Sequence, residues 1–237
     1  MTASLNRIGN RFSRFGSIRS RNPVAAGTEP FYSLLNASGE SAKHEIYASP
    51  SLQVGFAGMS LRSAPFGSPE HPVELVLAHQ LSTGALWEDI RMKGGAYGVS
   101  AYPDSLESMF FLSTYRDPNP LRSLDAFSSI LMTTAQQKGD PEFLEKAVIG
   151  AYSKESRPRT AAEHGIVDFL RFLCGIEDKH RSQNRRRLLD VSIDEIRQTA
   201  QRLGSRKDEE AAVILGSFSI AEKAAAKLGL AVKKLPI

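Results

Sequence analysis

Apolar positions recur along this chain with two periods, one typical of helices and one typical of strands. Near the N-terminus five apolar residues are spaced three and four apart: Leu5, Ile8, Phe12, Phe15 and Ile18. This spacing predicts a helix over about residues 3–18. After a turn-rich break, "FYSLLNAS" predicts a short second helix, and "HEIYAS" and "SLQVGFAGMSL" predict two strands hinged at Ser49–Pro50.

A long helix is predicted next. Ser68 is the expected N-cap and Pro69 the expected first helical residue, because proline fits the first turn of a helix. The segment "VELVLAHQLSTGALWEDIRM" is apolar on most sides, which favours a buried position. Gly94–Gly95 ends this helix, since glycine adopts the left-handed conformation that closes helices.

The second half of the chain contains strands followed by helices. "AYGVSAY" and "SMFFLSTY" predict consecutive strands joined by a turn at Pro103–Asp104–Ser105. "DPNP" begins a helix whose apolar stripe is Leu121, Leu124, Phe127, Ile130 and Leu131. Helices are predicted from 141 to 203, with breaks near Pro158 and Asp190, before a final strand "AAVILGS" and a final helix "SIAEKAAAKLGL".

This order predicts an α+β domain with an antiparallel or mixed sheet and helices packed on one face. We assign residues 41–237 to that domain and leave residues 1–40 outside it.

Composition excludes several classes of protein. Hydrophobic residues make up 41% of the 237 positions and charged residues 24%, as in ordinary globular proteins. No stretch approaches the roughly 18 continuous apolar residues of a membrane span. A single cysteine, Cys174, rules out an internal disulfide framework and favours a reducing compartment such as the cytoplasm. Its apolar neighbours in "FLRFLCGI" predict an inert, buried thiol.

Charge is unevenly distributed. The first 28 residues contain five arginines and no acid, which is typical of a mitochondrial transit peptide. The alternative is a packing helix with one solvated face. A mitochondrial location is therefore the lesser alternative to the cytoplasm or another reducing compartment. A second basic cluster, "HRSQNRRRLL", lacks the aromatic residues that stack on bases, and we interpret it as a solvated helix face rather than a nucleic-acid site.

No complete catalytic site is visible in the residues. A zinc hydrolase needs two histidines and a carboxylate in a motif such as HExxH or HxxEH. His71, Glu74 and His79 come nearest, but the two histidines lie about 80° apart around a helix and no second carboxylate completes the set. The sequence therefore predicts no metal ligand in this chain.

Arg91 and Tyr97 are the candidate functional residues. A helix that ends near Arg91, two glycines and a strand that starts at Ala96 bring a guanidinium and a phenol out close together. Arginine offers forked donors for a carbonyl or carboxylate, and a tyrosine hydroxyl stabilises a developing oxyanion. The alternative is that Arg91 pairs with a local acid and Tyr97 packs.

The segment "LSTGALWEDIRMKGGAYGVSAYPDS", followed by "FLSTYRDPN", resembles the C-terminal half of pitrilysin/insulin-degrading-type zinc metallopeptidases, in particular the presequence-protease branch. The core of this resemblance is Arg-x-x-Gly-Gly-Ala-Tyr-Gly, and looser matches extend it over most of residues 40–237. It implies a ferredoxin-like domain of the mitochondrial-processing-peptidase type. It also implies that Arg91 and Tyr97 contact a peptide substrate, whereas the zinc site belongs to an N-terminal half.

The resemblance implies that this chain is the C-terminal, substrate-binding part of a zinc metalloendopeptidase and is inactive alone. It also implies that residues 1–40 are the helical tail of a preceding domain or a linker. Its expected partners are a peptide substrate and a zinc-bearing half or separate subunit, with no nucleic acid and no membrane. Zinc is expected in the complete enzyme and no cofactor in this chain. Self-association through residues 5–18 is expected if their apolar stripe is uncovered. The alternative is a non-catalytic peptide-binding or core subunit of a larger assembly.

Overall fold

The computed structural model of the chain describes residues 44–104, 108–205 and 210–235. Residues 1–43 lie outside this range, and with them both predicted N-terminal helices, the segment assigned as a domain tail and the stripe at residues 5–18. Among the described helices, none has the length and apolar character needed to cross a membrane.

One six-stranded mixed sheet organises the domain. Its strands are β1 (His44–Ala48), β2 (Phe56–Arg62), β3 (Gly98–Asp104), β4 (Met109–Tyr115), β5 (Ala211–Gly216) and β6 (Val232–Lys234). They lie in the order β3-β4-β2-β5-β1-β6. Neighbours are antiparallel from β3 to β5, whereas β1 runs parallel to both β5 and β6.

Seven α-helices and one π-helical segment complete the described residues. The helices are α1 (His71–Thr83), α2 (Pro120–Gln136), α3 (Pro141–Glu155), α4 (Ala161–Leu173), α5 (Asp178–Leu189), α6 (Ile193–Gly204) and α7 (Phe218–Leu228). The π-helical segment, Trp87–Lys93, follows α1. Helices α1, α2 and α7 pack against the sheet, and α3, α5 and α6 pack against α1.

Alternation along the strands decides which face the helices cover. In β2 the side chains of Ala57, Met59 and Leu61 are buried, and in β4 those of Phe110 and Leu112 are buried, while their neighbours are half-exposed. Successive side chains of a strand point to opposite faces. The buried set therefore faces the helices and forms the core, whereas the described helices leave the other face of the sheet open. The predicted α+β architecture is confirmed.

The predicted start and the predicted continuity of the long helix are both wrong. Helix α1 begins at His71 after Glu70, so Ser68 is not its N-cap and Pro69 lies before it; Pro72 occupies the first turn instead. The backbone N–H of His71 donates to the Ser68 carbonyl, which makes residues 68–71 a turn. The long helix is also interrupted at Gly84, where an added Cβ would lie 2.7 Å from the Phe143 ring.

Two further differences concern strands. Pro103 and Asp104 are the last residues of β3, paired with Phe110 and Met109, rather than the turn between strands. Proline is tolerated there because β3 is an edge strand. The strand predicted as the last is followed by β6, whose three residues, Val232–Lys234, are too few for a sequence pattern to reveal.

Helix α4 has no buried side chain. Five of its apolar residues are exposed: Ile166, Phe169, Leu170, Phe172 and Leu173. Cys174 follows directly and is exposed as well, so the prediction of a buried thiol is wrong. The apolar neighbours in sequence do not bury it because α4 itself lies on the surface.

A carboxylate is buried in the first turn of α1. Glu74 has no exposed surface. Its carboxylate accepts hydrogen bonds from the Ser63 hydroxyl, from the Ala64 backbone N–H at 3.0 Å and from the Arg202 guanidinium at 2.5 Å. These bonds join α1 to α6 and to the end of β2.

The contact between α1 and α3 requires a glycine. A Cβ added at Gly150 would lie 1.9 Å from Nε2 of His79. We expect Gly150→Ala to destabilise the domain by about 1 kcal/mol, because overpacking of roughly 1–3 kcal/mol exceeds the gain of about 1 kcal/mol in helix propensity. Gly165→Ala in α4, where an added Cβ meets nothing within 4 Å, is the control and should be stabilising. Urea unfolding of both variants checks this, and equal stabilisation by the two would contradict the close contact.

Burial of His71 predicts a dependence of stability on pH. Burial lowers the pKa of His71 from 6.5 to about 4, with a smaller opposing effect of Asp104. The unfolded chain therefore takes up this proton first as the pH falls, and stability present above pH 6.5 is lost between about 6.5 and 4. The loss is about 3 kcal/mol and levels off below pH 4.

Urea unfolding at pH 7.5 and 4.5 measures this loss. His71→Leu, which fits a site against Phe66 where Nδ1 has no partner among the described residues, should remove most of the difference between the two pH values. His164→Gln, on the exposed surface of α4, is the control and should leave it unchanged. A full pH dependence in His71→Leu would assign the loss to other groups.

Candidate functional site

The π-helical segment carries the candidate arginine. It runs from Trp87 to Lys93 and contains one buried residue, Ile90, which anchors it to the core. The wider π-helical turn is rare in proteins and is frequent at functional sites. Because Ile90 faces inward, its neighbours on the outer side are free to project from the domain.

Arg91 lies over an aromatic ring. Its Cζ atom is 3.8 Å from the centre of the Trp87 ring, which is a cation–π contact. It forms no ion pair with any of the described residues. The nearby Asp89 is bound by Arg122, whose guanidinium donates to both carboxylate oxygens at 2.9 and 3.0 Å. Asp89 is therefore not a local acid that forms an ion pair with Arg91, as the alternative interpretation would require.

Gly94 and Gly95, which follow this segment, are required to be glycine for different physical reasons. A Cβ at Gly94 would lie 2.5 Å from the Ile90 carbonyl oxygen and 2.9 Å from the guanidinium of Arg122, so this position tolerates no side chain. Gly95 has φ +80°, which is the left-handed conformation that side chains disfavour. The predicted helix end is thus present, with the backbone N–H of Gly95 donating to the Arg91 carbonyl at 3.0 Å.

Tyr97 immediately precedes β3, with 67% of its surface exposed. Its backbone N–H donates to the Arg116 carbonyl, which extends the pairing of β3 with β4. Its ring packs edge-on against Tyr115, with centroids 5.9 Å apart, and Tyr115 packs in the same way against Phe56 at 5.7 Å. We call Phe56, Tyr115 and Tyr97 the aromatic row.

The aromatic row borders the open face of the sheet. This face bears a shallow groove of about 400 Å³ across β3, β4, β2 and β5. Tyr102 and Phe111 stack in it with their ring centroids 5.2 Å apart, and the hydroxyls of Ser100 and Ser113 are hydrogen-bonded at 2.9 Å on the same face. The groove therefore offers apolar and aromatic surface with a few polar groups.

The structure leaves both predicted site residues accessible to solvent. Tyr97 can donate a hydrogen bond from its hydroxyl, and the stacked guanidinium of Arg91 keeps its in-plane N–H groups free to donate. Those groups suit a peptide carbonyl or a carboxylate. That Arg91 and Tyr97 bind substrate stays a prediction.

The histidines and Glu74 of α1 do not fit a zinc ion. Both oxygens of Glu74 accept hydrogen bonds, one of them from a guanidinium that would repel a metal. His71 is buried against Phe66, and His79 packs on α3. Within the described ranges no group of three or more His, Cys, Asp or Glu side chains could hold a metal.

Sequence reasoning missed the residues that surround Arg91 and Tyr97. Trp87 lies four residues before Arg91, and this helical spacing was a signal that could have revealed the stacking. Arg122 and Tyr115 had no such signal, because they come from α2 and β4 and reach the site only in the folded chain.

Comparison with known proteins places this geometry in a family. The family model described as the PreP C-terminal domain matches residues 46–218. The mitochondrial presequence protease of Gibberella zeae is 33% identical over 167 residues, which cover 69% of this chain and 16% of that protein. The corresponding protein of Aspergillus fumigatus is 26% identical over 215 residues, which cover 91% of this chain and 19% of that protein.

A solved structure supports the fold. The peptidase M16 inactive domain from Pseudomonas fluorescens superposes with a TM-score of 0.58 at 13% identity, covering 75% of this chain and 45% of that one. The chain spans less than a fifth of the length of the two presequence proteases. The resemblance noted in the Arg-x-x-Gly-Gly-Ala-Tyr-Gly segment is confirmed for the presequence-protease branch, because the family match includes this segment: the chain belongs to the family of presequence-protease (PreP) C-terminal domains.

Proposed function

We propose that this domain grips the peptide substrate of a larger zinc-dependent peptidase. The observation that supports this most directly is the state of Arg91, whose guanidinium is stacked on Trp87 and makes no ion pair with the described residues. A guanidinium that served only stability would use its N–H groups within the domain. Here they remain available to an external acceptor.

Arg91 and Tyr97 have distinct roles in this proposal. Arg91 donates to a backbone carbonyl or a carboxylate of the bound peptide, which holds it in both the ground state and the transition state. Tyr97 donates its hydroxyl to the oxygen that becomes negatively charged as the peptide bond is attacked. The metal belongs to the part of the peptidase that this chain does not contain.

The accessible apolar surface on the open face of the sheet supports the proposal that the substrate is a peptide with apolar side chains. The stacked rings of Tyr102 and Phe111 and the aromatic row form an accessible apolar surface beside Tyr97. The relatives are called presequence proteases, and a presequence is an amphipathic targeting peptide. We assign the same class of peptide to this domain, with its apolar face lying on the groove.

A zinc-bearing N-terminal half is the proposed partner, in the same polypeptide or as a separate subunit. The 215 residues aligned with the Aspergillus fumigatus relative reach well before β1, which supports residues 1–40 as the tail of a preceding domain. The relatives are called mitochondrial, so we favour the mitochondrion over the cytoplasm.

In the second candidate function, favoured by the inactive domain from Pseudomonas fluorescens, the domain is a non-catalytic core or peptide-binding subunit.

Alone, the chain should be catalytically silent. Because α1 provides no ligand set, we expect purified chain to bind no stoichiometric zinc and to cleave no peptide. Metal analysis by mass spectrometry and a fluorogenic peptide assay measure both properties. One tightly bound zinc ion per chain would contradict this expectation.

Substitution of the two site residues tests the proposed function in an enzyme reconstituted with a zinc-bearing half. Tyr97→Phe should lower kcat by roughly 10²–10³-fold, as loss of one oxyanion donor does in other hydrolases. Arg91→Ala should raise KM and lower kcat together, because it removes contacts made in both states. Neither should cost more than about 1 kcal/mol of stability, since both side chains are on the surface.

Matched controls are available on other elements. Tyr152→Phe in α3 and Arg186→Ala in α5 remove the same groups far along the chain from the site and should leave turnover unchanged. Wild-type turnover in both Tyr97→Phe and Arg91→Ala would favour the second candidate, a non-catalytic subunit.

A further inference from the structure

Helix α4 carries an apolar stripe that points away from the domain. Its four residues recur three and four positions apart, which places them on one face of the helix, and between 44% and 64% of each is exposed: Ile166, Phe169, Leu170 and Leu173. We call them the α4 stripe. Glu163, Val167 and Arg171 lie on another face of the helix and are only half-exposed. Helix α4 therefore exposes its apolar side, the reverse of an ordinary surface helix.

The α4 stripe belongs to a helix with defined ends. Thr160 and Glu163 form a capping box at its start, in which each side chain accepts a hydrogen bond from the backbone N–H of the other residue. At its end Gly175 has φ +68°, and the backbone N–H of Ile176 donates to the Arg171 carbonyl at 2.8 Å. A contiguous apolar surface on such an element marks a contact with another surface.

The residues before β1 contain a stripe of the same kind, which we call the N-terminal stripe. It occupies one face of the helix predicted over residues 3–18 and consists of Leu5, Ile8, Phe12, Phe15 and Ile18. The predicted helix also contains Gly9 and Gly16, which weaken helices, and a helix of this length is marginal in water by itself. Such a segment needs a surface on which its apolar side can pack.

We propose that residues 5–18 form a helix whose N-terminal stripe packs on the α4 stripe. Residues 5–18 contain three arginines and no acid, so two copies of this segment repel each other. Helix α4 instead offers two exposed carboxylates beside its stripe, Glu163 and Asp168. Each is engaged in one surface ion pair, with Arg157 at 3.3 Å and with Arg171 at 3.2 Å, and such pairs are weak.

The chain between the two stripes is long enough to join them. Residues 19–43 separate the N-terminal stripe from β1, and an extended chain of this length spans about 80 Å. A domain of this size is about 40 Å across. The link keeps the two stripes at an effective concentration of roughly 0.1–1 mM, which a second copy at micromolar concentration does not reach. Residues of the same chain are therefore the favoured occupant of the α4 stripe. This contact is independent of the proposed function, since it involves neither Arg91 nor Tyr97.

Cys174 allows the contact to be measured without an introduced cysteine. It is the only cysteine of the chain, it is exposed, and it follows α4 directly. A nitroxide attached to its thiol in the ¹⁵N-labelled chain should broaden the amide signals of residues 5–18, and reduction of the nitroxide should restore them. Absence of this broadening would overturn the inference.

Two controls determine which surface causes the broadening. Phe169→Ser combined with Leu173→Ser should abolish it, because both residues belong to the α4 stripe, whereas His164→Ser at an exposed position outside the stripe should leave it unchanged. In a mixture of nitroxide-labelled, unenriched chain and ¹⁵N-labelled Cys174→Ser chain, residues 5–18 should keep sharp signals. Broadening in this mixture would assign the α4 stripe to a second copy and overturn the inference, as would broadening that persists in the double variant.

Trypsin tests the same contact on the unlabelled chain. Arg11 and Arg14 lie within the segment that is proposed to pack, whereas Arg19 lies just beyond it. Cleavage after Arg11 and Arg14 should be about 10-fold slower than after Arg19, because a packed helix has to open before it is cut. Phe169→Ser combined with Leu173→Ser should remove the difference. Equal rates in the unmodified chain would overturn the inference, and so would protection that survives the double variant, since residues 5–18 would then pack on another surface.

Discussion

A carboxylate without solvent contact determines where the central helix of this domain lies. Glu74 of α1 is held by Arg202 of α6 and by Ser63 and Ala64 at the end of β2. An unpaired charge at such a depth costs several kcal/mol, so α1 is stable only where all three donors reach it. Since the π-helical segment follows α1 after the break at Gly84, the position of α1 also limits where Trp87 and Arg91 can lie.

Most elements could be predicted because their signals are local. The stripe Leu124, Phe127 and Leu131 identifies the buried face of α2, and the Asn119 side chain caps its first turn as the "DPNP" segment suggests. What the sequence did not reveal depends on contacts between distant residues. Arg202 lies 128 residues from Glu74, and nothing in the residues around either one announces the pair.

The candidate site shows the same difference between features with a local sequence signal and features that depend on distant residues. Arg91, Tyr97 and the two glycines form one short segment, so a motif could reveal them. One of the two reasons for Gly94 lies outside that segment, because an added Cβ would lie 2.9 Å from the guanidinium of Arg122 in α2. Cys174 is the converse case: a local apolar pattern predicted burial, but α4 buries none of its side chains and the thiol is exposed.

The position of β1 has a consequence for biosynthesis. This strand lies between β5 and β6, and Glu45 pairs with Val213 about 170 residues later in the chain. At a synthesis rate of roughly 5–20 residues per second, β1 leaves the ribosome on the order of 10–35 s before the strands that flank it. Throughout that interval β1 lacks both of the strands that pair with it in the folded domain, and unpaired strand edges make a folding chain prone to aggregation.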